Sequence, residues 1–220
     1  MNRVKVKICG IRSLEEAEAA VEAGADALGF NFWASSPRYV SPETAREIIT
    51  RLPPFVANIG VFVNEARGTI EAIAHDLGLA AVQLHGDESP EFCAGFTKLK
   101  TIKAVRVSEG FDPQSITRYP VNIILLDTGR VGGYGGTGKT FDWSLAVKYA
   151  QLTRIILAGG LTADNVAEAI TTVRPTAIDV CSGVEAEPGR KDLVKLRDFM
   201  LAAAKANALL VHSRNSGRVE

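Results

Sequence analysis

Short apolar runs alternate with segments of helical periodicity along the whole chain. Runs rich in aliphatic and β-branched residues predict eight strands, at Val4–Cys9, Ala27–Phe32, Phe55–Val63, Ala81–His85, Leu99–Val107, Val121–Asp127, Arg154–Ala158 and Ala177–Cys181. In the first segment between strands, Leu14, Ala17 and Val21 share one helical face behind Ser13, which is suited to cap the helix. Later helices are predicted to begin at Ser41-Pro42 and to lie near Thr69–Leu77, Pro90–Ala94, Pro113–Tyr119, Trp143–Ala150, Ala163–Val173 and Asp192–Leu210.

This alternation predicts an α/β fold, because continuous apolar strands separated by helices form parallel sheets covered by those helices. Eight such units in 220 residues close most naturally into a single (β/α)₈ TIM barrel. A doubly wound open sheet is the main alternative, but Cys9-Gly10-Ile11-Arg12 lacks the glycine fingerprint expected after its first strand. We expect a catalytic barrel over residues 1–211 and a flexible polar tail over residues 212–220.

The charge balance argues for a small-molecule partner. Lysine and arginine total 25, as do aspartate and glutamate, so the formal net charge is zero. Proteins that bind nucleic acid usually carry a basic surplus for the phosphates, so we expect no nucleic-acid partner. No apolar run reaches the ~18–20 residues needed to cross a bilayer, so we expect no membrane association. The sequence is compatible with a monomer or a homodimer.

The cysteines indicate a reducing compartment. There are three of them, Cys9, Cys93 and Cys181, far apart and without C-x-x-C spacing. That number and spacing fit neither a disulfide framework nor a zinc site. The first residues lack the long apolar region of a secretory signal, so we expect a cytoplasmic protein.

Two glycine-containing loops are candidates for binding phosphate. Gly159-Gly160 follows the seventh predicted strand, and Ser182-Gly183 follows the eighth. In TIM barrels these two loops commonly bind phosphate through backbone N–H groups that no side chain covers. The alternative is that the glycines only permit tight turns, the commoner role of a single glycine. Because both loops follow the strands after which TIM barrels commonly bind phosphate, the sequence favours a phosphate ester as the ligand.

Three further residues at the predicted strand ends could take part in chemistry. Cys9 ends the first strand beside a flexible glycine, where its thiol could face a substrate, although most cysteines are simply small buried residues. Asp127 ends an apolar strand and could be a general acid–base group or a helix cap. Arg38 could lie on the surface, or its guanidinium could bind a carboxylate over the barrel mouth.

Eight segments in order resemble the phosphoribosylanthranilate isomerase family of tryptophan biosynthesis. They are Lys7–Gly10, Ser36–Val40, Gly60–Asn64, Gln83–Gly86, Leu126–Thr128, Gly136–Trp143, Leu157–Leu161 and Asp179–Glu185. The resemblance implies an Amadori rearrangement of N-(5-phospho-β-D-ribosyl)anthranilate to 1-(2-carboxyphenylamino)-1-deoxyribulose 5-phosphate. It also implies that Cys9 is the general base, Asp127 the general acid and Arg38 the residue that binds the anthranilate carboxylate. The chemistry requires no redox change, so we expect no metal and no organic cofactor.

Some positions are less certain or depart from the family pattern. His85 and Asp179 lie at strand ends and could contact the sugar hydroxyls or make structural hydrogen bonds. Arg12 stands where the family usually has threonine, and Cys181 where it usually has serine. Trp33 is bulky for a loop near a ligand. A second activity on the related histidine-pathway aminoaldose would need a second phosphate site, and we identify one glycine-built site.

Gly133–Thr140 satisfies the P-loop pattern, which makes a nucleoside triphosphatase an alternative enzyme class. A P-loop joins a strand directly to a helix, whereas here Thr128–Gly132 follow the sixth strand and Phe141–Trp143 precede the helix. We therefore interpret the segment as a long loop after the sixth strand and a candidate lid. A barrel that binds a sugar phosphate without converting it is a further alternative.

Overall fold

The eight predicted strands form one closed parallel barrel. The computed structural model describes residues 3–107, 112–128 and 143–215. The strands are β1 (Lys5–Cys9), β2 (Ala27–Asn31), β3 (Ala57–Phe62), β4 (Ala81–Leu84), β5 (Thr101–Val107), β6 (Ile123–Thr128), β7 (Ile155–Leu157) and β8 (Ala177–Val180). Each pairs in parallel with the next, and β8 pairs with β1 to close the ring. The predicted TIM barrel is confirmed.

Helices cover the outside of this barrel. They are α1 (Leu14–Glu22), α2 (Pro42–Ile49), α3 (Arg67–Asp76), α4 (Pro90–Ala94), α5 (Trp143–Leu152), α6 (Val166–Val173) and α7 (Leu193–Asn215). The Ser13 and Ser41 side chains accept hydrogen bonds from the backbone N–H groups of Glu16 and Thr44, so both predicted caps are present. No described helix is long and apolar enough to cross a membrane.

Two predicted element boundaries differ from the structure for identifiable reasons. Pro113–Arg118 is a 3₁₀ helix, not an α-helix. Tyr119 follows the helix and precedes Pro120, and because a proline disfavours helical geometry in the residue before it, Tyr119 is extended. At the other end of the chain, α7 continues to Asn215, past the predicted limit at Leu210. Residues 216–220 and the P-loop-like segment 133–140 lie outside the described residues, so expectations about them stay predictions.

Alternating side chains divide the core into two layers. In β1, Val6 and Ile8 belong to the large outer cluster between the sheet and the helices. Because successive strand residues point to opposite faces, Lys7 and Cys9 face the barrel interior. The interior also contains a small apolar cluster, made by Ile59, Ala81, Ile102, Ala104, Leu125, Ile156 and Ala158. Polar residues are concentrated beyond this cluster, at the carboxyl ends of the strands.

A small hairpin follows β8 that the sequence pattern did not predict. A one-turn 3₁₀ helix (Ser182–Val184) leads into strands β9 (Glu185–Glu187) and β10 (Arg190–Lys191). Gly189 turns the chain between them with φ of +87°, a conformation that favours glycine. The hairpin brings Glu185 and Lys191 back towards the carboxyl end of β8, where both side chains are buried.

Candidate active site

One cleft at the carboxyl ends of the strands brings together every residue that the sequence singled out as a candidate. Its empty volume is about 690 Å³, counting the open mouth. Its lining includes Cys9, Arg38, His85, Asp127, Gly159, Gly160, Asp179, Ser182 and Gly183. Trp33 also lines the cleft, so the bulky loop residue does lie where a ligand would bind.

Below Cys9, a buried ion pair crosses between β1 and β8. Lys7 Nζ donates to Asp179 Oδ1 at 3.0 Å, and their side chains are only 4% and 7% exposed. Asp179 is therefore hydrogen-bonded to Lys7, which favours a structural role over contact with the sugar hydroxyls. Its side chain nevertheless lines the cleft. Lys7 was not a sequence candidate. The available signal was a lysine two residues before Cys9 in an apolar strand, which places both on one face.

Lys7 is faced by two acidic groups, Asp179 and Cys9. Burial and a negative Cys9 together raise the pKa of Asp179 to about 7, against the opposing effect of Lys7. Burial alone would lower the pKa of Lys7, but Asp179 and Cys9 outweigh it and keep the ammonium charged. Two potential anions thus compete for one buried cation.

The surroundings of Cys9 favour its thiolate. A hydrogen bond from the Cys181 thiol lowers the pKa of Cys9 well below its ordinary value, and Lys7 and Lys191 lower it further against the opposing effect of burial. The same hydrogen bond, together with burial, raises the pKa of Cys181. Cys181 is half-buried and lines the cleft. Of this pair, Cys9 is the sulfur that carries the negative charge.

Asp127 ends β6 inside the same cleft, and His85 is its hydrogen-bond partner. His85 Nε2 lies 3.3 Å from Asp127 Oδ2, and the Gln83 amide nitrogen lies 2.8 Å from His85 Nδ1. Since the amide donates to Nδ1, the imidazole proton sits on Nε2 and points at the carboxylate. The other carboxylate oxygen, Asp127 Oδ1, is buried and has no hydrogen-bond partner among the described residues. Asp127 is therefore oriented through one oxygen and has the other available.

Arg38 is held by Glu185, an interaction that the sequence did not predict. Arg38 Nε and Nη2 donate to the two Glu185 carboxylate oxygens, both at 2.8 Å. This raises the pKa of Arg38, and the guanidinium in turn helps Lys191 to lower the pKa of Glu185 against burial. The ion pair uses the Nε edge of the guanidinium. The Nη1–Nη2 edge of Arg38 remains as the fork for a ligand.

Lys191 connects this ion pair to the thiols. Its side chain is fully buried, and Nζ lies 3.3 Å from Glu185 Oε1 and 3.8 Å from Cys181 Sγ. Arg12, the other departure from the family pattern, donates from Nη1 to the Gly189 carbonyl at 3.0 Å and so contacts the hairpin.

The two glycine loops pack backbone against backbone along the cleft wall. Gly159 and Gly160 have φ of +83° and +63°, which favour glycine. A Cβ on Gly183 would lie 1.8 Å from the Leu161 carbonyl oxygen, so no side chain fits there. These glycines are required by the backbone conformation, and all three line the cleft. Within the three described ranges, no group of three or more His, Cys, Asp or Glu side chains is arranged to hold a metal ion.

Comparison with known proteins identifies the family. Residues 6–202 match the family model described as N-(5'-phosphoribosyl)anthranilate (PRA) isomerase. The chain belongs to this family. A family relative from Pelobacter propionicus is 53% identical over 205 residues, which cover 93% of this chain and 98% of the relative. A relative from Thermotoga neapolitana is 54% identical over 202 residues, covering 91% and 98%. Both are named N-(5'-phosphoribosyl)anthranilate isomerase.

Solved structures of the family superimpose closely on this barrel. The Thermotoga maritima phosphoribosyl anthranilate isomerase gives a TM-score of 0.87 at 50% identity, covering 92% of this chain and 99% of that one. A family structure in complex with reduced 1-(o-carboxyphenylamino)-1-deoxyribulose 5-phosphate gives a TM-score of 0.83 at 46% identity, with the same coverage. The Thermotoga maritima enzyme is also described as dimeric, with derived monomers. The isomerase function in tryptophan biosynthesis that the sequence predicted is confirmed.

The competition for Lys7 predicts that the pKa of Cys9 shifts in opposite directions when Asp179 and Lys7 are changed. Asp179→Asn removes the competing anion, so the pKa of Cys9 should fall further. Lys7→Met removes the cation, so the pKa of Cys9 should rise. Lys5→Met is the matched control, because Lys5 lies on the same strand but is half-exposed and paired with Asp26. The ultraviolet absorbance of the thiolate, with Cys9→Ser as the blank, measures the titration. Shifts in the same direction for both variants would contradict this interpretation.

Proposed function

We propose that Cys9 and Asp127 carry out the proton transfers that convert N-(5-phospho-β-D-ribosyl)anthranilate to 1-(2-carboxyphenylamino)-1-deoxy-D-ribulose 5-phosphate. The observation that carries this proposal is that a thiol whose surroundings favour the thiolate and a carboxyl group with one unpartnered oxygen line the same cleft. Cys9 is surrounded by groups that favour its thiolate. Asp127 has a buried carboxylate oxygen without a hydrogen-bond partner among the described residues, and it lines the same cleft.

The chemistry uses the two groups in succession. Asp127, in its protonated form, gives a proton to the ribose ring oxygen while the bond from carbon 1 to that oxygen breaks. The nitrogen lone pair forms the double bond to carbon 1, giving an iminium ion. The iminium makes the proton on carbon 2 acidic, and the Cys9 thiolate removes it to give an enolamine. The enolamine then tautomerises to the ketone, gaining a proton at carbon 1 and losing one from the hydroxyl on carbon 2, and net transfer of the Cys9 proton to Asp127 through solvent restores both groups. Each positioned group contributes ~10²–10⁴ in rate.

His85 positions the acid in this scheme. Its Nε2–H donates to Asp127 Oδ2, so the carboxyl proton is placed on the other oxygen, Oδ1. Gln83 fixes the imidazole tautomer by donating to Nδ1. His85 therefore acts through Asp127, while its place on the cleft wall also lets it contact a sugar hydroxyl.

The two anionic ends of the substrate fit two different parts of the cleft. The Nη1–Nη2 edge of Arg38 suits the anthranilate carboxylate, because a guanidinium fork matches the two carboxylate oxygens. The loops at Gly159-Gly160 and Ser182-Gly183 suit the phosphate, because they line the cleft and glycines have no side chain to cover their backbone N–H groups. The ligand in the related complex has one carboxylate and one phosphate, which supports a cleft with two such ends.

Removal of either proton-transfer group should abolish most of the activity. Cys9→Ala, Cys9→Ser and Asp127→Asn should each lower kcat by ~10²–10⁴, because each loses one positioned acid or base. Cys93→Ala, which removes a buried thiol outside the cleft, should keep parental kcat. Substrate fluorescence follows turnover, and the reduced product analogue tests binding. Retention of more than about a tenth of parental kcat, against that expected loss, would show that the assigned role is wrong.

The phosphate assignment predicts a charge-dependent loss of binding at Ser182. Ser182→Asp places a carboxylate beside the phosphate, and two such charges ~4 Å apart repel by ~4 kcal/mol at the effective dielectric near a protein surface. KM should therefore rise by more than about tenfold. Ser182→Asn has nearly the same shape without the charge and should stay near the parent. Equal KM values for the two variants would place the phosphate elsewhere.

The ion pair with Glu185 predicts an indirect effect on carboxylate binding. Glu185→Gln leaves Arg38 without a charged partner to fix its orientation, so KM should rise by about tenfold, equivalent to roughly 1.4 kcal/mol. Glu187→Gln is the matched control, since Glu187 lies in the same hairpin but pairs with Arg190 at the surface. Steady-state kinetics on folded variants give the comparison. An unchanged KM in Glu185→Gln would mean that Arg38 needs no support from Glu185.

A further inference from the structure

Two cysteines lie opposite each other on neighbouring strands of the cleft. The register of β1 with β8 pairs Lys7 with Asp179 and Ile8 with Val180, and Cys9 and Cys181 each follow directly after that last pair. Residues paired in this way on parallel strands point to the same face of the sheet. Both side chains line the cleft. The proposed isomerisation uses the Cys9 thiolate as its base and needs no covalent chemistry from the second sulfur.

The spacing of the two residues is that of a disulfide. Neighbouring strands lie about 4.8 Å apart, and the Cα atoms of disulfide-linked cysteines are usually about 4.4–6.8 Å apart. Both side chains line the same cleft, and each thiol shifts the pKa of the other. A bond between them therefore requires no movement of one strand past the other.

Lysine ammonium groups lie near both sulfurs, and the Cys181 thiol also donates to Glu185 Oε1 at 3.6 Å. Lys7 lies beside Cys9, and the Lys191 ammonium lies 3.8 Å from Cys181 Sγ. Reactive cysteines are found in electropositive, partly accessible surroundings of this kind. Cys93 provides the contrast, because it is 1% exposed within the outer core and burial raises the pKa of its thiol.

We propose that hydrogen peroxide converts Cys9 and Cys181 into a disulfide that switches the isomerase off reversibly. This inference rests on the proposed role of Cys9 as the base. In the first step, the Cys9 thiolate attacks one peroxide oxygen, the O–O bond breaks, and hydroxide leaves with the electron pair. Cys9 is now a sulfenic acid. In the second step, Cys181 sulfur attacks Cys9 sulfur, and the hydroxyl group leaves with the Cys181 proton as water.

Oxidation of Cys9 in the first step favours the thiolate form of Cys181 that attacks in the second. The pKa of Cys181 is raised chiefly because Cys9 takes the negative charge of the pair and accepts the Cys181 proton in a hydrogen bond. Once Cys9 is a neutral sulfenic acid, that cause disappears, while Lys191 and Arg38 continue to favour the Cys181 thiolate. The two thiols lose two electrons in total, and the two peroxide oxygens gain them. A disulfide sulfur cannot accept the substrate proton, so activity stops until a dithiol reduces the bond.

The test combines peptide mapping with activity. The parent enzyme is treated with a small molar excess of hydrogen peroxide without substrate, digested under non-reducing conditions and analysed by mass spectrometry. A linked peptide containing Cys9 and Cys181 should accumulate in step with the loss of activity, and dithiothreitol should reverse both. Cys93→Ala should behave like the parent. Cys181→Ser, compared with its own untreated activity, should give no linked peptide, and its Cys9 should proceed to sulfinic acid, so dithiothreitol should fail to restore it.

The outcomes separate this inference from the proposed function. If peroxide modifies Cys9 singly in the parent and no linked peptide forms, the switch is overturned, while the loss of activity in Cys9→Ala still supports the base. If the linked peptide forms and activity is retained, both the switch and the role of Cys9 as base are overturned. Reversal by dithiothreitol in Cys181→Ser equal to that in the parent would also overturn the switch.

Discussion

Lys7 is a buried cation between two groups that can each become an anion, and the properties of the cleft depend on this arrangement. A carboxylate or thiolate in a buried site is costly unless a positive charge compensates it. Burial, with Cys9 close by, raises the pKa of Asp179 to about 7 against the effect of Lys7, while Cys9 retains the negative charge. The barrel thus maintains a thiolate in the wall of the cleft.

The fold produces this arrangement through strand alternation and barrel closure. Alternation puts Lys7 and Cys9 on the inner face of β1, and the pairing of β1 with β8 sets Asp179 beside Lys7. The hairpin after β8 supplies partners for the residues of the cleft. It places Lys191 beside the Cys181 thiol and Glu185 beside Arg38. Base, acid and anion-binding groups therefore come from different strands but meet at one edge, where parallel barrels place their active sites.

Much of this could be predicted from the sequence, because strand periodicity and the polar residues at strand ends are local signals. Cys9, Asp127 and the glycine loops all follow from their places at the ends of apolar runs. The partners of these residues could not be predicted in the same way. Arg38 and Glu185 are 147 positions apart, and Lys191 reaches Cys181 through a hairpin without a clear sequence signature. Such contacts depend on tertiary packing.

The central claim is that the Cys9 thiolate is the catalytic base, and pH-dependent single-turnover kinetics test it most directly. The rate should rise with pH along the titration of the Cys9 thiolate, followed by ultraviolet absorbance on the same enzyme. Cys181→Ala removes the hydrogen bond that lowers the pKa of Cys9, so both curves should move to higher pH by the same amount. A thiolate titration that moves while the rate profile stays in place would show that another group removes the proton.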